Sequence, residues 1–134
     1  NAEMEKAKQF SVYLQNRPGA LATVTQVLAD ARVNIVALSA VETTHEGILR
    51  LVVDKPEVAA KTLDEKGLMF AMVDVLLIKL PNRVGAMAEL ARKLADKNVN
   101  INYVYGSAQG PGTKSTVVLS VNRMAAAETV LADM

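Results

Sequence analysis

The chain has no cysteine and no tryptophan. Without thiols there can be no disulfides, no thiolate metal sites and no cysteine nucleophile, and such a composition suits a reducing compartment. Aromatic residues make up only 4% of the sequence, so any core has to be assembled from Val, Leu, Ile, Ala and Met. No apolar run reaches the roughly 18 residues that a membrane helix needs. The longest, from Leu68 to Leu80, is interrupted by Asp74 and Lys79. A basic-then-apolar leader is missing from the N-terminus. Charge of one sign is missing too: 15 basic residues face 14 acidic ones, interspersed, for a formal net charge of +1. A basic stripe interleaved with aromatics, the footprint of a nucleic-acid binder, is therefore absent. These absences predict a soluble, cytoplasmic protein with no nucleic-acid partner and no membrane partner.

What the sequence does contain is apolar content of 51%, enough for a packed core, and an internal repeat. Asn16-Arg17-Pro18-Gly19-Ala20-Leu21-Ala22 aligns without a gap on Asn82-Arg83-Val84-Gly85-Ala86-Met87-Ala88, 66 positions on (82 − 16). At the same offset Leu28-Ala29-Asp30 falls on Leu94-Ala95-Asp96, and Val33-Asn34-Ile35 on Val99-Asn100-Ile101. Repeats of this kind are sought first because they fix the architecture.

Each copy reads the same way. Phe10, Val12 and Leu14 alternate with polar residues, the period of a half-buried strand, and Val75 to Leu80 is apolar enough for a strand covered on both faces. The glycine turns break these strands. Leu21, Val24, Leu28 and Ala31, matched by Met87, Leu90, Leu94 and Lys97, lay one apolar stripe along a helix. Val33 to Val41 and Val99 to Tyr105 are second strands, rich in β-branched and aromatic residues. Hairpin loops at 43–47 and 109–113 lead to third strands, Ile48 to Val53 and Ser115 to Val121. Asp54 and Asn122 stand at N-cap positions before helices Glu57 to Lys66 and Arg123 to about Ala132. Gly67 stops the first of these, and Leu68 to Val73 supplies a fourth strand. The predicted class is α+β: two tandem ferredoxin-like βαββαβ units with antiparallel sheets and helices on one face. The domains are 8–73 and 74–134, the second with its final strand apparently missing. Units this small are marginal alone and are expected to dock, so a homodimer is expected.

A search for catalytic groups finds nothing convergent. His45, the sole histidine, falls in a hairpin loop without a metal-spaced partner. Asp30, Glu57, Asp64, Glu65, Glu89, Asp96 and Glu128 fall on polar helix positions, and Asp74 at the junction between copies reads as a turn residue. Gly110-Pro111-Gly112 lacks the Lys-Ser/Thr of a phosphate loop and reads as a hairpin tip. Met69, Met72 and Met87 read as core filler. No enzyme, no metal and no cofactor are indicated.

The repeated turn is different. Gly19 allows close backbone approach, and it opens a helix whose free N–H groups and dipole attract a carboxylate. Asn16 and Asn34 offer amides that can meet an α-carboxylate and an α-amino group. The same residues also serve a purely structural account: Asn16 caps the helix, Gly19 makes the turn, and Asn34 tolerates a left-handed loop. Both accounts fit the residues.

Strand, Asn-Arg-Pro-Gly-x-Leu, helix, then Val-Asn-Ile opening a strand resembles the ACT domain, the amino-acid-sensing module of many metabolic enzymes and regulators. The resemblance covers nearly the whole chain, twice. It implies a non-catalytic sensor that binds an amino acid where two ACT copies meet, regulating amino-acid metabolism through a partner such as a metabolic enzyme. The ligand residues it implies are Asn16, Gly19, Ala20, Leu21, Asn34 and Ile35, with Asn82, Gly85, Ala86, Met87, Asn100 and Ile101 in the second copy. The turn is similar to that of the serine-sensing module of phosphoglycerate dehydrogenases. Their histidine, two residues before the Asn, is replaced here by Leu14 and Leu80, so serine is not implied. Val84 stands where the turn usually has proline, which makes the first copy the better candidate. The first half is also similar to the regulatory small subunit of acetolactate synthase, which gives the alternative of a subunit regulating such a biosynthetic enzyme.

Overall fold

The computed structural model describes residues 3–42, 46–107, 110 and 112–132. His45, the tips of both hairpin loops and the two chain ends lie outside the described residues. The elements are β1 (Glu3–Gln15), α1 (Ala20–Asp30), β2 (Ile35–Glu42), β3 (Glu46–Val53), α2 (Pro56–Glu65), β4 (Phe70–Pro81), α3 (Ala86–Asp96), β5 (Ile101–Ser107), β6 (Lys114–Val121) and α4 (Met124–Ala132). The fold is the expected pair of ferredoxin-like α+β units.

The first unit is Lys8–Val73. Its strands run in the order β2-β3-β1-β4, with β3 antiparallel to both β1 and β2. Alternation along β1 turns Phe10 and Val12 into a core with Leu49 and Leu51 of β3, and α1 and α2 cover that face with Val24, Leu28, Ala59 and Leu63. Phe70 closes the layer, its ring centroid 5.5 Å from that of Phe10.

The second unit joins Asp74–Met134 to Asn1–Ala7. Its order, β5-β6-β4-β1, is the same arrangement, and the strand missing from the end of the second repeat is supplied by the N-terminal stretch of β1. Met4 packs on the core built from Leu76, Ile78, Leu90, Leu94 and Leu119. Lys114 holds Glu3 at 2.8 Å, and Lys6 faces Glu128 of α4 at 3.5 Å. The Lys114 ammonium, through its hydrogen bond and its charge, holds the Glu3 carboxyl below its ordinary pKa.

Three local expectations are corrected. Asp74 makes no turn: the fourth strand of the first repeat and the first strand of the second are one strand, β4, running through it. Asp54 does not cap α2, which starts from Lys55 without a side-chain cap. Its carboxylate instead accepts the Asn34 N–H at 2.9 Å while the Asp54 N–H donates to the Asn34 carbonyl, and Asn122 makes the same reciprocal pair with Asn100. Met69, Met72 and Met87 do not fill the cores. Met69 is 72% exposed, because Phe70 takes the inward place beside it.

Helix ends repeat as faithfully as helix starts. After α1, α2 and α3 the chain passes through a left-handed residue, Arg32, Gly67 and Asn98 respectively. In each case the next N–H bonds back to a core leucine carbonyl: Val33 to Leu28, Leu68 to Leu63 and Val99 to Leu94. This is the Schellman closure with its apolar contact.

Candidate functional site

Among the described residues both units have a concavity at the same place, where the glycine turn meets the far end of the second strand. In the first unit a cavity of about 390 Å³ is walled by Asn16, Arg17, Ala20 and Leu21 on one side. Ala40, Val41 and Glu42 of β2 and Gly47 and Ile48 of β3 form the other. In the second unit a cavity of about 410 Å³ is walled by Asn82, Arg83, Ala86 and Met87. Val104, Tyr105, Gly106 and Ser107 of β5, with Ser115 and Val117 of β6, complete it. Volumes of this size suit small molecules.

The turns are superposable in conformation. Gly19 has φ 88° and ψ −9°, Gly85 φ 88° and ψ −8°, a region that side chains beyond glycine rarely enter. Val84, fully exposed, therefore leaves the turn shape unchanged where Pro18 stands in the first copy. Neither α1 nor α3 has a side-chain hydrogen bond capping its first turn. The first N–H of each helix, Ala20 and Ala86, donates to the Arg17 and Arg83 carbonyls at 3.3 Å, and the positive end of each helix dipole lies at the turn, the end that favours an anion.

The asparagines do not cap these helices, so that part of the structural account of the turn is overturned. The Asn16 amide reaches across the cavity mouth and donates to Glu42 Oε2 at 2.8 Å. The Asn82 amide donates to the Gly110 carbonyl, and its backbone N–H to the Thr113 carbonyl at 2.8 Å. Asn16 thus bonds to the far wall of its cavity, and Asn82 to the β5–β6 hairpin loop, rather than to the helix.

The twelve sequence-predicted residues divide cleanly. Asn16, Ala20, Leu21, Asn82, Ala86 and Met87 line the cavities, and Gly19 and Gly85 shape the turns. Leu21 and Met87, the first positions of the predicted apolar stripes, face the cavities instead of the cores and are 45% and 37% exposed. Asn34, Ile35, Asn100 and Ile101 lie at the opposite end of their strands. From Ile35 to Glu42 the strand extends about 23 Å at the usual rise. Within one unit, then, the amides of Asn16 and Asn34 do not converge on a common ligand. Ile35 and Ile101 pack on the cores.

Sequence reasoning missed Arg17, Arg83, Glu42, Gly106 and the wall from β3 and β6. The signal for the charged ones was present as broken symmetry between the copies. Thr23 corresponds to Glu89 in the repeat. Glu89 accepts from Arg83 Nη2 at 2.7 Å, and that hydrogen bond and charge hold the glutamate pKa down and raise that of the arginine. Thr23 carries no charge and its hydroxyl donates to the Gly19 carbonyl at 3.0 Å. Among the described residues no group of three His, Cys, Asp or Glu side chains is placed to hold a metal ion.

Two copies of a βαββαβ unit, each with a glycine turn opening a helix over a small cavity, define a tandem module of ferredoxin-like fold. The sequence matches the profile of the ACT domain pair over residues 5–133, and the chain belongs to that family. Protein BT0572 from Bacteroides thetaiotaomicron is 35% identical, with a TM-score of 0.91 over 97% of this chain and 89% of that one. The regulatory subunit of aspartate kinase from Thermus thermophilus, in its ligand-free form, is 16% identical with a TM-score of 0.68, covering 97% and 94%. A structure of aspartokinase alpha and beta subunits is 18% identical with a TM-score of 0.66, covering 98% and 94%. These last two share the fold. No curated protein matches at a significant level.

Proposed function

We propose that the chain is a non-catalytic, cytoplasmic amino-acid sensor that regulates amino-acid metabolism through a partner protein. The observation that carries this reading is the first-unit cavity, where the uncapped start of α1 and the braced Asn16 wall face one small volume. A carboxylate is stabilised at such a helix start, and the lining supplies polar contacts beside Leu21, Val41 and Ile48. Family membership supports it, since ACT domains serve as amino-acid-binding regulatory modules. A homodimer goes with this reading: β2 is an edge strand of its unit, with Val36 and Leu38 45% and 51% exposed. The partner is an enzyme of amino-acid metabolism, acetolactate synthase being the alternative raised by the first half of the sequence.

A thermal-shift screen against the twenty amino acids tests the sensing role. A ligand at one hundred times its dissociation constant adds about 2.7 kcal/mol to the folded state, which raises the melting temperature, and Asn16→Ala reduces the rise. If no amino acid moves the melting temperature, the sensor reading fails. Light scattering across a concentration series tests the dimer, and a monomer throughout would remove it. Affinity purification from the native cell tests the partner, with recovery of a biosynthetic enzyme as the expected result.

A further inference from the structure

We propose that the two turn cavities are chemically distinct: Arg17 and Glu42 make the first a zwitterion site, while Glu89 disables the same arginine in the second. This rests on the amino-acid-sensing reading and names the residues that discriminate within it. Arg17 and Glu42 line one cavity from opposite walls. Glu42 is held there by a neutral donor, the Asn16 amide at 2.8 Å, so its negative charge is oriented without being cancelled. Arg17 has no ion-pair partner among the described residues, because Thr23 occupies the place of Glu89 and turns its hydroxyl to the Gly19 carbonyl. One wall thus offers a guanidinium to a carboxylate and the other a carboxylate to an ammonium, the two charges of a free α-amino acid.

The second cavity has the same turn and a similar volume, with neither charge available among the described residues that line it. Arg83 is closed onto Glu89 at 2.7 Å. Its far wall presents Gly106, Ser107 and Tyr105, and no carboxylate is among the described residues that line it. A ligand there meets hydroxyls and apolar surface, with no ammonium anchor. One position in each helix, 23 or 89, decides whether the turn arginine faces ligand or its own helix.

The experiment uses the full chain and calorimetric titration with the free amino acid that most raises the melting temperature. The N-acetyl and carboxamide derivatives of that amino acid are the comparison probes. Wild type is expected to bind the free form and to lose about ten- to hundredfold when either charge is masked. Glu42→Gln and Arg17→Met are each expected to weaken the free form by a similar factor. Glu42→Gln also narrows the preference over the N-acetyl form, and Arg17→Met the preference over the carboxamide. Thr23→Glu, which recreates the Arg83–Glu89 pair on Arg17, is expected to weaken binding about two- to fivefold. Lys61→Met, on the exposed face of α2, is the charge-removal control and retains wild-type affinity. Unliganded melting temperatures close to wild type show that the variants fold, and any one of the three site variants that folds suffices for the test. Wild-type affinity in folded Glu42→Gln and Arg17→Met overturns this inference and leaves the sensor reading intact. Failure of every free amino acid to bind removes both.

Discussion

Gly106 and Gly47 are both strand glycines that line a cavity, yet alanine at the two positions is expected to have opposite effects. Gly106 pairs with Val117 across the β5–β6 ladder. A Cβ there would stand 2.6 Å from the Thr116 carbonyl oxygen and 3.2 Å from Val117 Cα. These are backbone atoms of a paired strand and do not swing away. Ordinary contact begins near 3.4 Å, so the two strands must separate locally by about 0.8 Å (3.4 − 2.6). Forced overpacking of this kind costs about 1–3 kcal/mol. At roughly 4 °C per kcal/mol for a chain of this size, Gly106→Ala should melt about 4–12 °C below wild type. Gly47 faces the Val41 carbonyl oxygen at 3.6 Å and Leu14 Cβ at 3.9 Å, which an alanine methyl meets as ordinary contact. Its backbone does not require glycine, so Gly47→Ala should be neutral or stabilising by up to about 1 kcal/mol through reduced unfolded-state entropy. Urea unfolding with parallel thermal melts reads both. Equal shifts for the two variants would refute the reasoning, since both are strand glycines lining a cavity, one in each unit, and only Gly106 has partner-strand backbone within 3.4 Å of the added Cβ.

Arg32 holds a left-handed conformation at φ 60° after α1, the place Gly67 occupies after α2; Arg32→Gly should therefore stabilise the chain by about 0.5–1 kcal/mol, and a lower melting temperature would count against it. The Asp54 carboxylate that accepts the Asn34 N–H should make Asp54→Ala cost about 1 kcal/mol by denaturant unfolding, with Asp54→Asn recovering most of it, as Asn122 performs the same task in the second unit. Because Arg83 holds the Glu89 pKa below its ordinary value, the stabilisation from that pair is present above the unfolded-state value of about 4.3 and is lost as pH falls through the lower folded value. Carboxyl NMR titration should show a Glu89 midpoint that rises in Arg83→Met, and an unchanged midpoint would remove the pair as its cause.

The repeat, the order of elements and the glycine turns were legible in the chain because each depends on local chemistry. Alternation in Phe10, Val12 and Leu14 can satisfy only a one-sided strand, the stripe through Val24 and Leu28 only a helix, and Gly19 and Gly85 supply a backbone conformation other residues resist. Asn16, Ala20 and Leu21 were found as cavity residues for the same reason, being fixed to that turn by sequence. Tertiary structure decided what depends on long-range partners. It supplied the second unit's fourth strand from residues at the other end of the chain, since edge pairing needs a complementary strand and not a neighbouring one. It separated Asn34 from Asn16, because α1 carries the chain away from the turn and β2, running back toward it, has its first residue at the far end of the sheet. It brought Glu42 and Arg17 to one cavity, which no spacing rule predicts, because β2 runs back to the turn that the chain left 25 residues earlier (42 − 17). The glycine turn itself belongs to the sequence; the charge that faces it belongs to the fold.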